Sequence, residues 1–121
     1  MYEVIFYKDA QGHEPLKEHL YELKSKSLTS KRDRILLEKI LAYIKVLQDY
    51  GARAGSPVMK HLEGDMWELR PLSNRIVFVY WKDDNFVLVH HFIKKTQKTP
   101  VREIEQARRN LKDFLERSRQ R

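Results

Sequence analysis

Residues 59–98 read MKHLEGDMWELRPLSNRIVFVYWKDDNFVLVHHFIKKTQK, and this stretch decides the fold. It holds three apolar runs, Met66 to Leu69, Ile76 to Trp81 and Phe86 to Phe92, rich in Val, Ile, Phe, Tyr and Trp. Short polar breaks separate them: Leu72-Ser73-Asn74 after Pro71, and Lys82-Asp83-Asp84-Asn85. β-Branched and aromatic runs broken by turn-forming residues predict an antiparallel meander. The cations Lys60, Arg70, Arg75, Lys94, Lys95 and Lys98 fall at the starts and ends of the expected strands. A twisted sheet of this size gathers such positions at one rim, and positive charges facing one concavity make an anion site.

Side-chain alternation sharpens this picture. In a strand over Trp67 to Arg70, Trp67 and Leu69 share one face while Glu68 and Arg70 share the other, about 7 Å apart at their Cα atoms. For an isolated Glu-x-Arg the ordinary expectation is an exposed ion pair of little energetic weight. His90 and His91 are adjacent on one strand, so they point to opposite faces and do not jointly hold a metal. With no cysteine and no histidines at i, i+4 helical spacing, no metal site and no cofactor are expected. His61 beside Lys60 is a candidate general base, set against the commoner role of a solvated surface histidine.

Working outward from the meander, Tyr2 to Tyr7 reads as a first strand, ended by Asp9 to Gly12. Pro15 suits the first turn of a helix carrying Leu16, Leu20 and Leu23 at helical spacing and ending near Lys26. Ser30 with Asp33 three residues later resembles a capping box and opens a longer helix through Leu36, Ile40, Tyr43, Ile44 and Leu47, with Gly51 as its stop. Beyond the meander, Thr99 offers a cap and Pro100 a first helical position, with Glu103 and Glu105 near the positive helix end. Val101, Ile104, Ala107, Leu111 and Phe114 form one apolar stripe, and Arg102, Arg109, Lys112 and Arg117 fall largely off it. The expected fold is α+β in a single domain: two N-terminal helices and a C-terminal helix on a small antiparallel sheet.

At 121 residues the chain can bury one core, and 41% apolar with 34% charged residues is ordinary for a globular protein. The absence of cysteine excludes disulfides, thiolate zinc sites and a cysteine nucleophile. The opening residues lack a basic leader and a cleavage site, and no run approaches the ~18 apolar residues of a membrane span. A cytoplasmic location without membrane contact is the default expectation. The net charge of +7 is unevenly spread: residues 1–93 carry 14 Lys and Arg against 13 Asp and Glu, residues 94–121 carry 10 against 4. A localised basic field suits a phosphate backbone or an acidic protein surface, although a solvated C-terminal helix produces the same count.

The run Trp67-Glu68-Leu69-Arg70, then Arg75-Ile76-Val77-Phe78, then His91-Phe92-Ile93-Lys94-Lys95-Thr96-Gln97-Lys98-Thr99-Pro100 and a helix with Glu103-Ile104 and Ala107 resembles the RelE/ParE superfamily of toxins from type II toxin–antitoxin modules. The likeness is greatest to the phage-related HigB branch and covers nearly the whole chain. Its most specific part is Phe-x-Lys-Lys-Thr-x-Lys-Thr-Pro combined with the upstream Glu-Leu-Arg. One departure is Asn74, which precedes Arg75 where relatives often carry an aromatic residue; Tyr80, Trp81 and Phe92 are the aromatic residues available instead.

The resemblance implies a RelE-like fold and a metal-independent endoribonuclease that cleaves messenger RNA on the translating ribosome. Its implied partners are a cognate HigA-type helix-turn-helix antitoxin, mRNA and the ribosome, with operator DNA contacted only through the antitoxin complex. Attack of a ribose 2′-OH on the adjacent phosphate needs a base, positive charge for the pentavalent phosphate and an acid for the departing 5′ oxygen. By position Arg70 and Arg75 resemble the phosphate clamp, Lys94 and Lys95 the transition-state stabilisers, and Lys60 or His91 the proton-transfer group. Arginine's planar fork suits phosphate oxygens, whereas lysine is a compact point charge able to exchange a proton. Glu68, Phe92, Lys98, Arg102 and Arg109 are the expected RNA contacts. Two alternatives stay open: a ParE-like gyrase inhibitor of the same fold, and a non-catalytic nucleic-acid-binding domain.

Overall fold

The computed structural model describes residues 1–119. The elements run β1 (Glu3–Phe6), α1 (Pro15–Lys26), α2 (Lys31–Tyr50), a 3₁₀ turn (Gly51–Ala54), β2 (Met59–Glu63), β3 (Met66–Leu69), β4 (Asn74–Tyr80), β5 (Asn85–Ile93) and α3 (Val101–Arg119). This is the expected α+β class, with one sheet in the order β1-β5-β4-β3-β2. The meander is antiparallel throughout, but β1 lies parallel to β5, with Glu3 opposite Asn85 and Phe6 opposite Leu88. The sheet is therefore mixed rather than wholly antiparallel. The direction in which a strand pairs across so long a separation is not written in its own alternation.

Local signals explain most element ends. Pro15 opens α1, and Ser30 Oγ accepts the Asp33 N–H at 3.2 Å at the start of α2. Gly51 closes α2 at φ 68, and a Cβ there would lie 2.9 Å from a Tyr2 ring carbon, so both the turn and the close approach require glycine. α3 begins one residue later than expected, with the Pro100 carbonyl accepting the Ile104 N–H at 3.3 Å. β2 is a strand that the apolar runs do not reveal, because it is an edge strand on which Lys60, His61 and Glu63 are exposed. β4 starts before its apolar run because Asn74 and Arg75 are themselves buried.

Two helical layers enclose the sheet. Leu16, Leu23, Ile40, Ile44 and Leu47 of α1 and α2 pack on Met59, Leu69, Ile76, Phe78, Phe86 and Leu88. On the other face Ala107, Ile104, Leu111 and Phe114 of α3 cover Met66, Val77, Val79, Val87, Val89 and Phe92. A register shift between Val77 and Phe78 makes β5 bulge near Val89, whose carbonyl accepts from Asn110 Nδ2 at 2.7 Å. The bulge resets the alternation, so His90 meets α3, His91 meets α1 and Phe92 returns to the α3 side. Among the described residues no helix is long and apolar enough to cross a membrane.

Candidate functional site

The meander brings five of the six rim cations to one place. Lys60 from β2, Arg70 after β3, Arg75 from β4, Lys94 after β5 and Lys98 before α3 line one cavity of 170 Å³, together with His61, Glu68, Gln97 and Thr99. Pairing fixes the arrangement: Lys60 lies opposite Glu68, Glu68 opposite Val77, and Arg75 opposite Phe92, so these residues share the α3 face. Lys95 opens onto an adjoining concavity of 620 Å³, whose wall also includes Arg75, Lys94 and Gln97. A separate cleft of 480 Å³ between α1, β5 and α3 is lined by no lysine or arginine.

Glu68 is the centre of the cluster and is 3% exposed. Its Oε1 accepts the Thr99 hydroxyl at 2.8 Å, while Oε2 lies 3.7 Å from Arg70 Nε and 3.8 Å from Arg75 Nε. The exposed Glu68–Arg70 pair expected from spacing is thus corrected to a buried arrangement of one carboxylate between two guanidiniums. Alternation gives the shared face, but not the chain segment entering α3 that covers it. An RNA contact by Glu68 itself does not fit this burial; the carboxylate reaches a ligand only through the arginines it orients.

The two arginines differ in what they have left to offer. Arg75 is 5% exposed, and its Nη1 donates to the carbonyls of Leu72 at 2.8 Å and Asn74 at 2.7 Å. Burial draws its pKa below the ordinary arginine value, opposed by the nearby Glu68 charge. Much of its fork therefore holds the turn into β4. Arg70 is more open, and its buried Nε lies just beyond hydrogen-bond reach of Glu68. Among the described residues Lys60, Lys94, Lys95 and Lys98 have no carboxylate within 4.0 Å. His61 Nε2 contacts the Gly64 carbonyl at 2.8 Å; a carbonyl only accepts, so Nε2 carries a proton and Nδ1 is the nitrogen left to take one.

Other expected site residues lie elsewhere. His91 stacks on His19 of α1 at 4.1 Å between ring centroids, and its Nε2 meets Asn74 Oδ1 at 2.8 Å, on the sheet face opposite the cations. Phe92 is buried beneath α3, Arg102 reaches Glu103 at 3.6 Å, and Arg109 donates to Gln106 at 2.7 Å. None of these four lines the cavity. Gln97 and Thr99 do, although spacing alone presents Thr99 only as a helix cap. Among the described residues no group of three or more His, Asp or Glu is placed to hold a metal ion.

Burial, with His19 and His90 adding to it, pushes His91 down to about 4 from 6.5. Between these values the unfolded chain binds more protons than the folded one, so stability rises with pH across the window and is lost as pH falls through it. The expected loss from pH 7 to 4 is about 3 kcal/mol from this group. His91→Gln, which keeps a donor for Asn74, should flatten that part of the profile in urea unfolding; an unchanged slope would show that His91 is not the responsible group.

A small basic α+β protein with a cation-lined cavity on its meander defines the class. The chain belongs to the family of phage-derived Gp49-like proteins, whose model matches residues 29–112, more than half of the 121. These are toxin-like proteins related to the RelE/HigB type and associated with toxin–antitoxin modules. The matched segment contains every residue of the cation cavity. No individually curated protein matches the chain.

Proposed function

We propose that this chain is a HigB-like toxin that cleaves messenger RNA on the translating ribosome without a metal, and that it is silenced by a HigA-type antitoxin. The observation that supports this best is the convergence of Lys60, Arg70, Arg75, Lys94 and Lys98 on one cavity around a single buried carboxylate. Such an excess of positive charge suits a phosphodiester whose negative charge grows in the pentavalent transition state.

The 2′ oxygen attacks phosphorus, its proton passes to a base, and the P–O5′ bond breaks to leave a 2′,3′-cyclic phosphate and a 5′-hydroxyl that takes a proton from an acid. Lys60 of β2, opposite Glu68 and at the wall of the cavity, supplies proton transfer. Its neighbour His61 falls opposite Trp67 and packs edge-on against that ring at 5.3 Å, so its imidazole lies toward the other face. Arg70 and Lys94 carry most of the charge stabilisation, because Arg75 is largely committed to backbone carbonyls.

Induced expression without an antitoxin should arrest growth, and primer extension should map codon-phased cuts in translated regions. Arrest with intact transcripts and broken chromosomal DNA would favour gyrase inhibition, while unaffected growth would remove the toxin reading. Cleavage of free RNA at high protein concentration should survive excess EDTA; activity lost to EDTA and restored by zinc or manganese would overturn the metal-free mechanism.

A further inference from the structure

A second group of cations lies outside the cavity, at the turn joining α1 to α2. Lys24, Lys26, Lys31, Arg32 and Arg34 fall within eleven residues that hold one carboxylate, Asp33. All five are exposed, and Leu28 between them is 85% exposed. Lys26 pairs with Glu22 at 2.8 Å; among the described residues Lys24, Lys31, Arg32 and Arg34 have no carboxylate within 4.0 Å. Backbone bonds from Ser27 to Leu23, Thr29 to Lys26 and Ser30 to Lys26 hold the turn, and Arg34 Nη1 reaches the Ser27 carbonyl at 3.4 Å.

Helix electrostatics separates these cations into two kinds. Lys24 and Lys26 occupy the last turn of α1, where positive charge is favoured by the helix dipole. Lys31, Arg32 and Arg34 open α2, at the positive end of its dipole, where cations are disfavoured and Asp33 alone suits the position. Three cations placed against the local field carry a stability cost, and such violations mark places where function overrides folding preference.

The turn also lies at the functional end of the molecule. Leu16 shares a cleft with Leu88, and His19 stacks on His91, so α1 advances along β5 toward Ile93 and Lys94. Independently, the far end of α2 is fixed beside β1, where the Tyr2 N–H donates to the Gln48 carbonyl at 2.8 Å. The helical turn is thus at the end of the sheet from which Lys94 and Lys95 project.

We infer that the α1–α2 turn is a second RNA contact, in which Lys31, Arg32 and Arg34 grip backbone phosphates of an RNA that extends beyond the cavity. Charge complementarity suits RNA and an acidic protein alike; the end of the sheet that the turn shares with Lys94 and Lys95 favours RNA. The inference rests on the RNA-cleaving reading of the cavity.

The test uses the full chain carrying Lys31→Ala, Arg32→Ala and Arg34→Ala together, and non-cleavable 2′-O-methyl RNAs of about 5 and about 30 nucleotides. Affinity for the longer RNA should fall at least ~10-fold at low salt, and the slope of log K against log [salt] should shrink by about 2, as for three lost phosphate contacts. Affinity for the short RNA should not change, while the melting temperature should rise by roughly 2–5 °C as the unfavourable dipole contacts vanish. Unchanged long-RNA affinity and slope would overturn the inference, including where the same variant loses an acidic protein partner. Equal losses for both lengths would overturn it too, by tracing the effect to the cavity. If the unmodified protein bound neither RNA, the RNA reading of the cavity would fall, and this inference with it.

Discussion

Replacing Glu68 by glutamine should lower the melting temperature by about 10 °C and remove toxicity even at temperatures where the variant is folded. The carboxamide retains an oxygen for the Thr99 hydroxyl but no charge for the two guanidiniums that Oε2 faces at 3.7 and 3.8 Å. Removing one partner of a buried ion pair costs about 3–5 kcal/mol because the other charge is left uncompensated. Here the lower end applies, since both contacts exceed hydrogen-bond length while Arg70 retains access to solvent. Arg75, at 5% exposure, is the charge left stranded. Without the carboxylate the two arginines repel, and Arg70 loses what aims it at the cavity. Thr99→Val should reproduce a smaller part of the activity loss by freeing Glu68 Oε1, and Thr99→Ser should restore it. A glutamine variant melting within about 2 °C of the parent, or still fully toxic, would show that Glu68 neither stabilises nor orients the cluster.

The same cluster marks how far the sequence can be read. Apolar runs in the meander, the Ser30 cap, Pro15 and the Gly51 stop locate β3 to β5 and α1 and α2 within a few residues, because each signal is local. β2 escapes because an edge strand needs only one buried side chain, Met59, and carries charge elsewhere. The parallel pairing of β1 escapes because it joins residues about eighty positions apart, where no turn chemistry fixes direction.

At the site, strand ends foretell which cations can meet, since residues entering or leaving neighbouring strands share a rim. Depth is not foretold. Glu68 and Arg75 look like surface charges in the sequence, yet the segment entering α3 covers them, and that depends on Thr99 reaching a carboxylate on β3. His91 sits in the same run as Lys94, but the β5 bulge and strand alternation send it to the opposite face. The alternation of His90 and His91 is legible; what each then meets, Glu103 on one side and His19 on the other, is not.

Arg70→Ala and Lys94→Ala should each reduce RNA cleavage by about 10²–10⁴ while shifting the melting temperature by no more than a few degrees. Lys94 has no carboxylate partner among the described residues and sits half-buried at the wall shared by the two concavities, so its charge is held for a ligand rather than for the fold. Arg70 removal leaves Glu68 with Arg75 and Thr99, which keeps the carboxylate compensated. Arg75→Ala should behave differently: Glu68 keeps Arg70 and Thr99, but the buried Asn74 carbonyl loses its guanidinium donor, at about 1–3 kcal/mol. A nearly fully buried side chain is also removed from the turn into β4, so this variant should fail mainly through stability. Arg119→Ala, exposed at the far end of α3, should leave both cleavage and melting unchanged. Measuring single-turnover cleavage alongside thermal melting separates the groups. Full activity in both the Arg70 and Lys94 variants would move the chemistry away from this cavity, whereas a collapse in melting for either would make that side chain part of the fold.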